Sequence, residues 1–135
     1  MAELFIAAFL GHLVGDYLFQ TKYMALNKSG KGWSGFKSCT LHVWVYTVSI
    51  CLMLWTLNPW TVLAVFIPHW IIDRLSLASM WLKLIRGRTF EAAYLSQDKY
   101  REFDIVFTSL VYVVVDNTFH LLSLWLTIKF LMQGA

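Results

Sequence analysis

Residues 11–20 read GHLVGDYLFQ, and in them His12, Asp16 and Gln20 recur every fourth residue inside a segment otherwise apolar enough to enter a bilayer. A helix turns once every 3.6 residues, so this spacing puts all three on one face. An unpaired polar group in hydrocarbon costs on the order of several kcal/mol, so an imidazole, a carboxylate and an amide on one stripe imply partners elsewhere in the chain.

The composition sets the class. The 135 residues are 59% hydrophobic, 17% aromatic and 14% charged, against roughly a quarter charged in soluble domains. With a mean hydropathy of +0.59, the chain is expected to be one all-α integral membrane domain. Its formal charge of +3 leaves no footprint for a nucleic-acid partner. No P-loop, dinucleotide fingerprint or nucleophile elbow is present. The first apolar run carries Glu3, His12 and Asp16 and no small-residue cleavage site, which marks it as a retained span. Cys39 and Cys51 both fall in the second apolar segment, about 18 Å apart along a helix, too far to bridge.

Four spans are predicted, at about 4–20, 39–57, 60–82 and 105–132, packed as a four-helix transmembrane bundle. Asn58-Pro59 is a turn so short that spans two and three return antiparallel. Pro68 leaves the carbonyl of Ala64 without its usual partner and predicts a kink just before His69. Between spans three and four, Phe90, Ala93, Tyr94 and Leu95 predict a short amphipathic interfacial helix lying on the headgroups. The two loops on one side carry Lys22, Lys28, Lys31 and Lys37, and Lys83, Arg86, Arg88, Lys99 and Arg101; the N-terminus and the Asn58-Pro59 turn carry none. By the positive-inside rule the basic loops are cytoplasmic and both termini lie outside, in a bacterial inner membrane.

Each span receives one histidine: His12, His42, His69 and His120. Three lie four residues from an acid, in the pairs His12/Asp16, His69/Asp73 and Asp116/His120, and His42 has Tyr46 at the same offset. Such spacing points both members of a pair into a bundle centre, at broadly similar depth from the basic side. His12, Asp16, His42, His69, Asp73, Asp116 and His120 are therefore candidate metal ligands, for one divalent ion or for two bridged by a carboxylate. Mixed nitrogen and oxygen donors without thiolate favour zinc, with manganese or iron next. Gln20, Tyr46, Tyr112 and Asn117 are candidates for orienting those ligands by hydrogen bonds. Arg74 is a candidate to hold an anionic group or to pair with a carboxylate. Gly11 and Gly15 form a G-x-x-x-G pattern that permits close helix approach, within the chain or across a homodimer.

These motifs, G-H-x-x-x-D-Y-x-x-Q at Gly11–Gln20, L-H at Leu41–His42, H-x-x-I-D at His69–Asp73 and D-x-x-x-H at Asp116–His120, resemble a bacterial and phage membrane family catalogued as domain of unknown function 3307. That resemblance carries no activity. More distantly the pattern is similar to membrane-bound metal-dependent hydrolases, thought to relate to the zinc-dependent phospholipase C and nuclease fold. The second resemblance implies metal-ligand roles for His12, Asp16, His69, Asp73, Asp116 and His120, and after them for His42. Where its pattern has Gln after the last aspartate, this chain has Asn117.

The leading expectation is a membrane-embedded metal-dependent hydrolase acting on a lipid or lipid-linked phosphoester from the cytoplasmic leaflet. The metal would activate water and polarise the phosphoryl group, one of Asp16, Asp73 or Asp116 would take a proton, and Arg74 or a loop lysine would hold the phosphate. A small proton or ion transporter is the first alternative, with Ser123 and Thr127 extending the polar path. A non-enzymatic membrane modulator with a structural polar core is the second.

Overall fold

Short capping signals set the helix boundaries in the computed structural model, which describes residues 1–132. Helix α1 (Ala2–Leu13) continues without a break into a five-residue π turn, Val14–Leu18. Thr21 accepts from the Met24 amide at 3.2 Å and starts α2 (Lys22–Asn27). Helix α3 (Gly32–Met53) follows. Asn58 caps α4 (Pro59–Arg74) by accepting from the Trp60 amide at 2.9 Å, with Pro59 in the first turn where its missing N–H is harmless. Helix α5 (Leu77–Arg86) ends on Gly87, which takes the left-handed conformation at φ 61°. Thr89 caps α6 (Phe90–Leu95), and α7 (Arg101–Thr127) runs into a second π turn, Ile128–Met132.

Two of these helical stretches, Gly32–Met53 and Arg101–Met132, are long and apolar enough to cross a membrane. A third qualifies if α4 and α5, bent by 52° relative to each other, count as one span. Four spans are thus more than the helix lengths carry. The first stretch is shorter: twelve α and five π residues reach about 25 Å at ~1.5 Å per residue, less than the ~30 Å of a hydrocarbon core.

The remaining boundaries shift for local reasons. Helix α3 starts at Gly32, inside the lysine-rich stretch that composition assigns to a loop. The helix does not break at Pro68. It breaks at Leu75–Ser76, where Ser76 adopts φ 49°. The Ala64 carbonyl that Pro68 deprives of an amide instead accepts from Thr127 Oγ1 of α7, at 3.2 Å. The short amphipathic helix forms at Phe90–Leu95, with Ala93 buried and Phe90, Tyr94 and Leu95 exposed.

Helix α1 packs on α3, α3 on α4, α4 on α7 and α7 on α1, so the four surround a common axis. Glycine permits the closest of these contacts. A Cβ at Gly11 would lie 3.0 Å from Ile50 Cα, and one at Gly15 would lie 2.9 Å from Tyr46 Cα. The close approach offered by the G-x-x-x-G pattern is therefore made inside the chain, to α3. The apolar core, Ala8, Tyr46, Ile50, Leu54, Val65, Leu124 and Ile128, fills the end of the axis near the Asn58-Pro59 turn. The outward faces stay apolar: Leu41, Val48, Leu52, Leu110, Val114 and Leu122 are all exposed, as a lipid-facing surface requires.

Candidate metal centre

Beyond the apolar core, towards the basic loops, the axis is filled by imidazoles and carboxylates. His12, His42, His69 and His120 are all buried, and so is Asp73. The paired spacings act as expected within helices: His12 Nδ1 lies 3.2 Å from Asp16 Oδ2, and His69 Nε2 lies 3.2 Å from Asp73 Oδ2. The π turn carries Asp16, whose Oδ1 comes to 3.2 Å from His42 Nε2 and 3.6 Å from His69 Nε2. Wide turns of this kind often mark functional sites, because the extra residue re-aims the side chains around it.

Two triangles of donors result. His42 Nε2, His69 Nε2 and Asp73 Oδ2 are 3.2 Å apart along each side. His42 Nε2 and His69 Nε2 form the second with Asp16 Oδ1. One face of a zinc tetrahedron with ligands at about 2.0–2.1 Å has edges of about 3.3 Å, so both match a three-ligand face with a position left open. His120 approaches from α7, grouping with Asp16 and His69, and its Nε2 lies 3.7 Å from Asp73 Oδ1.

Hydrogen bonds decide which ring nitrogens are free. His120 Nδ1 faces the Asp116 main-chain oxygen at 2.8 Å, and a carbonyl only accepts, so the N–H is on Nδ1. The other nitrogen, Nε2, is buried, without a hydrogen-bond partner among the described residues. His12 is set in the same manner. The Asn117 amide donates through Nδ2 to the Val113 carbonyl at 2.6 Å and to the Tyr17 hydroxyl, which turns Oδ1 towards His12 Nε2 at 2.6 Å. His12 Nε2 therefore donates, and Nδ1 is left facing the Asp16 carboxylate. Metal-ligating histidines commonly donate their second N–H to an oxygen in this way. Asp16 Oδ1 and Asp73 Oδ2 also lack hydrogen-bond partners. Lone pairs converging in a buried space repel one another unless a cation or protons lie between them, so the donor set fits a divalent ion.

The other candidates occupy distinct places. Gln20 Nε2 lies 3.0 Å from His42 Nε2, so this residue reaches the cluster. Asp116 stands outside both triangles: its carboxylate is 3.9 Å from His120 Nδ1 and partly open to the surface. Tyr46 lies beneath the cluster, its ring centroid 3.7 Å from that of His69, and its hydroxyl has no hydrogen-bond partner among the described residues. Tyr112 packs edge-on against Phe90 on the α6 side. Ser123 donates to the His120 carbonyl at 2.8 Å, and Thr127 donates to the carbonyls of Ser123 and Ala64.

Lys28 joins the cluster without any signal in the sequence. Its ammonium lies 2.7 Å from Asp73 Oδ1 and the residue is only 8% exposed. Burial works to lower the Lys28 pKa, but the neighbouring Asp73 carboxylate overrides it and holds the ammonium charged above the usual lysine range. Nothing in the spacing separates Lys28 from Lys22, Lys31 or Lys37; the path of the loop alone selects it. Arg74 fixes that path by donating from Nη1 to the carbonyls of Lys28, at 3.3 Å, and Gly30. Tyr17, which steadies Asn117, stands next to Asp16 in the first motif, and that position is its signal in the sequence.

No curated protein and no solved structure matches this chain. A family model does match, described as a protein of unknown function (DUF3307), over residues 4–134, and the chain belongs to that family.

Proposed function

We propose that this protein is a membrane-embedded, metal-dependent hydrolase of a lipid or lipid-linked phosphoester. The observation that carries the reading is the convergence of His42 Nε2, His69 Nε2, His120 Nε2, Asp16 Oδ1 and Asp73 Oδ2 in a buried space, with three of these atoms lacking any hydrogen-bond partner. His42, His69 and Asp73 would hold one divalent ion, and Asp16, His69 and His120 offer the ligands of a second or alternative position. Zinc suits the nitrogen and oxygen donors best, with manganese and iron next. When bound, such an ion supplies Lewis acidity at the phosphoryl group and makes water a better nucleophile at neutral pH.

The chain's own residues supply the rest. Asp116 lies outside both triangles, so its Oδ2 is free to take the proton as water adds to phosphorus and to return it to the departing ester oxygen. Asn117 and the Asp116 carbonyl hold the His12 and His120 rings in one tautomer. Tyr46 and the apolar core beneath it exclude water from the far side.

In this reading α1 with its π turn, α3, the bent α4–α5 pair and α7 form a four-helix membrane bundle. Nine of the 11 Lys and Arg residues lie on the side of α2 and α6, with Arg74 inside α4 and Lys129 near the opposite end, and this bias supports a cytoplasmic position for those loops, with both termini outside, in a bacterial inner membrane. Metal analysis of protein purified in an uncharged detergent, followed by phosphate release from phospholipid mixed micelles, tests the proposal. Stoichiometric zinc, manganese or iron with metal-dependent turnover is expected. Absence of transition metal, with unchanged folding of His12→Ala and Asp73→Ala variants, would sink it.

A further inference from the structure

Among the described residues Lys28 is the one cation that touches the metal-ligand candidates, and its position is built from several elements. The turn after α2 is closed by the Gly30 amide donating to the Asn27 carbonyl at 2.9 Å. Gly35 of α3 lies so close under the Gly30 carbonyl that no Cβ fits there. Arg74, the residue after Asp73, holds the carbonyls on both sides of Ser29. The ammonium is thereby delivered to Asp73 Oδ1, on the side of that carboxylate opposite the triangle formed with His42 and His69.

Charge decides what the lysine does once an ion is bound. Three carboxylates, Asp16, Asp73 and Asp116, share the region with two basic side chains, Lys28 on Asp73 and Arg74 against the Lys28 turn, so with neutral imidazoles the region has one negative charge in excess. One divalent ion reverses this to one positive charge in excess, and Asp73 is then compensated by the ion as well as by the lysine. A buried ammonium whose partner has been taken over needs another anion. A singly charged phosphodiester, or a phosphate monoester carrying one proton, restores neutrality.

We propose that Lys28 is the phosphoryl-binding residue of the site, exchanging Asp73 Oδ1 for a substrate phosphate oxygen, and that Arg74 is a positioning residue that clamps the Lys28 turn and does not touch the anion. This rests on the reading of the cluster as a metal-dependent phosphoester site.

The test uses the full chain in uncharged detergent, loaded with zinc, and calorimetric titration with inorganic phosphate and separately with phosphatidate in mixed micelles. Wild-type protein is expected to bind at least one of the two, and Lys28→Met to lose about 10- to 100-fold in affinity for it while keeping its zinc. Lys28→Gln, whose amide still donates to Asp73, is expected to show the same loss and covers the case in which Lys28→Met fails to fold. Lys31→Met should bind as wild type does. Binding of phosphatidate alone identifies a lipid headgroup as the ligand, and binding of inorganic phosphate identifies the free anion. Zinc-loaded wild type that binds neither, or a zinc-loaded Lys28→Gln that binds with unchanged affinity, overturns the assignment. Failure of the wild-type protein to take up metal overturns instead the reading on which it rests.

Discussion

His12 and His120 carry their N–H groups on the ring nitrogens turned away from Asp16 and Asp73 respectively, and the oxygens that hold them there are Asn117 Oδ1 and the Asp116 carbonyl. Asn117→Leu removes the first of these without altering a ligand. It is expected to weaken metal affinity by about 10-fold or more, measured by competition with a chromophoric chelator, because the His12 ring loses its fixed tautomer. Unchanged affinity would show that His12 takes no part. Tyr46 gives the opposite expectation. Its ring fills space against His69 and its hydroxyl is buried without a partner, so Tyr46→Phe should leave thermal stability in detergent unchanged or raise it by up to about 1 kcal/mol. A clear drop in the melting temperature would mean that the hydroxyl has a partner after all.

Helices α1 and α3 meet backbone to backbone at Gly11 and Gly15, and the second contact lies one residue from Asp16. A methyl group there must displace main chain, not a flexible side chain. Gly15→Ala is expected to cost about 1–3 kcal/mol in denaturation from mixed micelles and to weaken metal binding as well, since the π turn that aims Asp16 moves with it. Gly11→Ala, a turn further from the cluster, should cost stability with little effect on metal. On the opposite seam, Thr127→Val strips the Ala64 carbonyl of the donor that replaces the amide missing at Pro68. A loss of about 1–3 kcal/mol is expected by the same denaturation measurement, as for any buried acceptor left unmade.

Polar and apolar halves divide the protein along its axis, with the titratable groups towards the basic loops and the aliphatic core towards the Asn58-Pro59 turn. If an ion holds α1, α3, α4 and α7 together through their side chains, its removal must loosen all four. Chelator treatment is expected to lower the melting temperature and added zinc to restore it, the ion contributing about 2.7 kcal/mol of stability at a hundredfold excess over the dissociation constant. Orientation is read with a membrane-impermeant thiol reagent on intact spheroplasts: Thr56→Cys should label and Lys99→Cys should not. The native Cys39 and Cys51 are buried and contribute little background. Labelling of the position 99 variant alone would invert the topology.

The helical class, the apolar exterior and the convergence of His12, Asp16, His42, His69, Asp73 and His120 were all legible in the order of residues, because a four-residue period has one meaning on a helix and a polar stripe in an apolar segment has few uses. Local chemistry also announced the α3–α4 turn and the Phe90–Leu95 helix through Asn58-Pro59 and the Thr89 cap. What the chain order left open depends on contacts between distant segments. The helix is unbroken at Pro68, where Thr127, on another helix, donates to the Ala64 carbonyl. The break falls at Ser76 instead and divides the third apolar stretch; with the first stretch also short, two or three helices are long and apolar enough to cross a membrane where hydropathy suggests four. Asn117 finds a role on His12 across 105 residues, and Asp116 offers His120 its main chain more closely than its carboxylate. Lys28 is separated from its equally basic neighbours solely by a loop path that Arg74 and Gly35 impose. A hydropathy pattern records how each segment meets its solvent; which donor meets which acceptor across the axis is settled only when the helices pack.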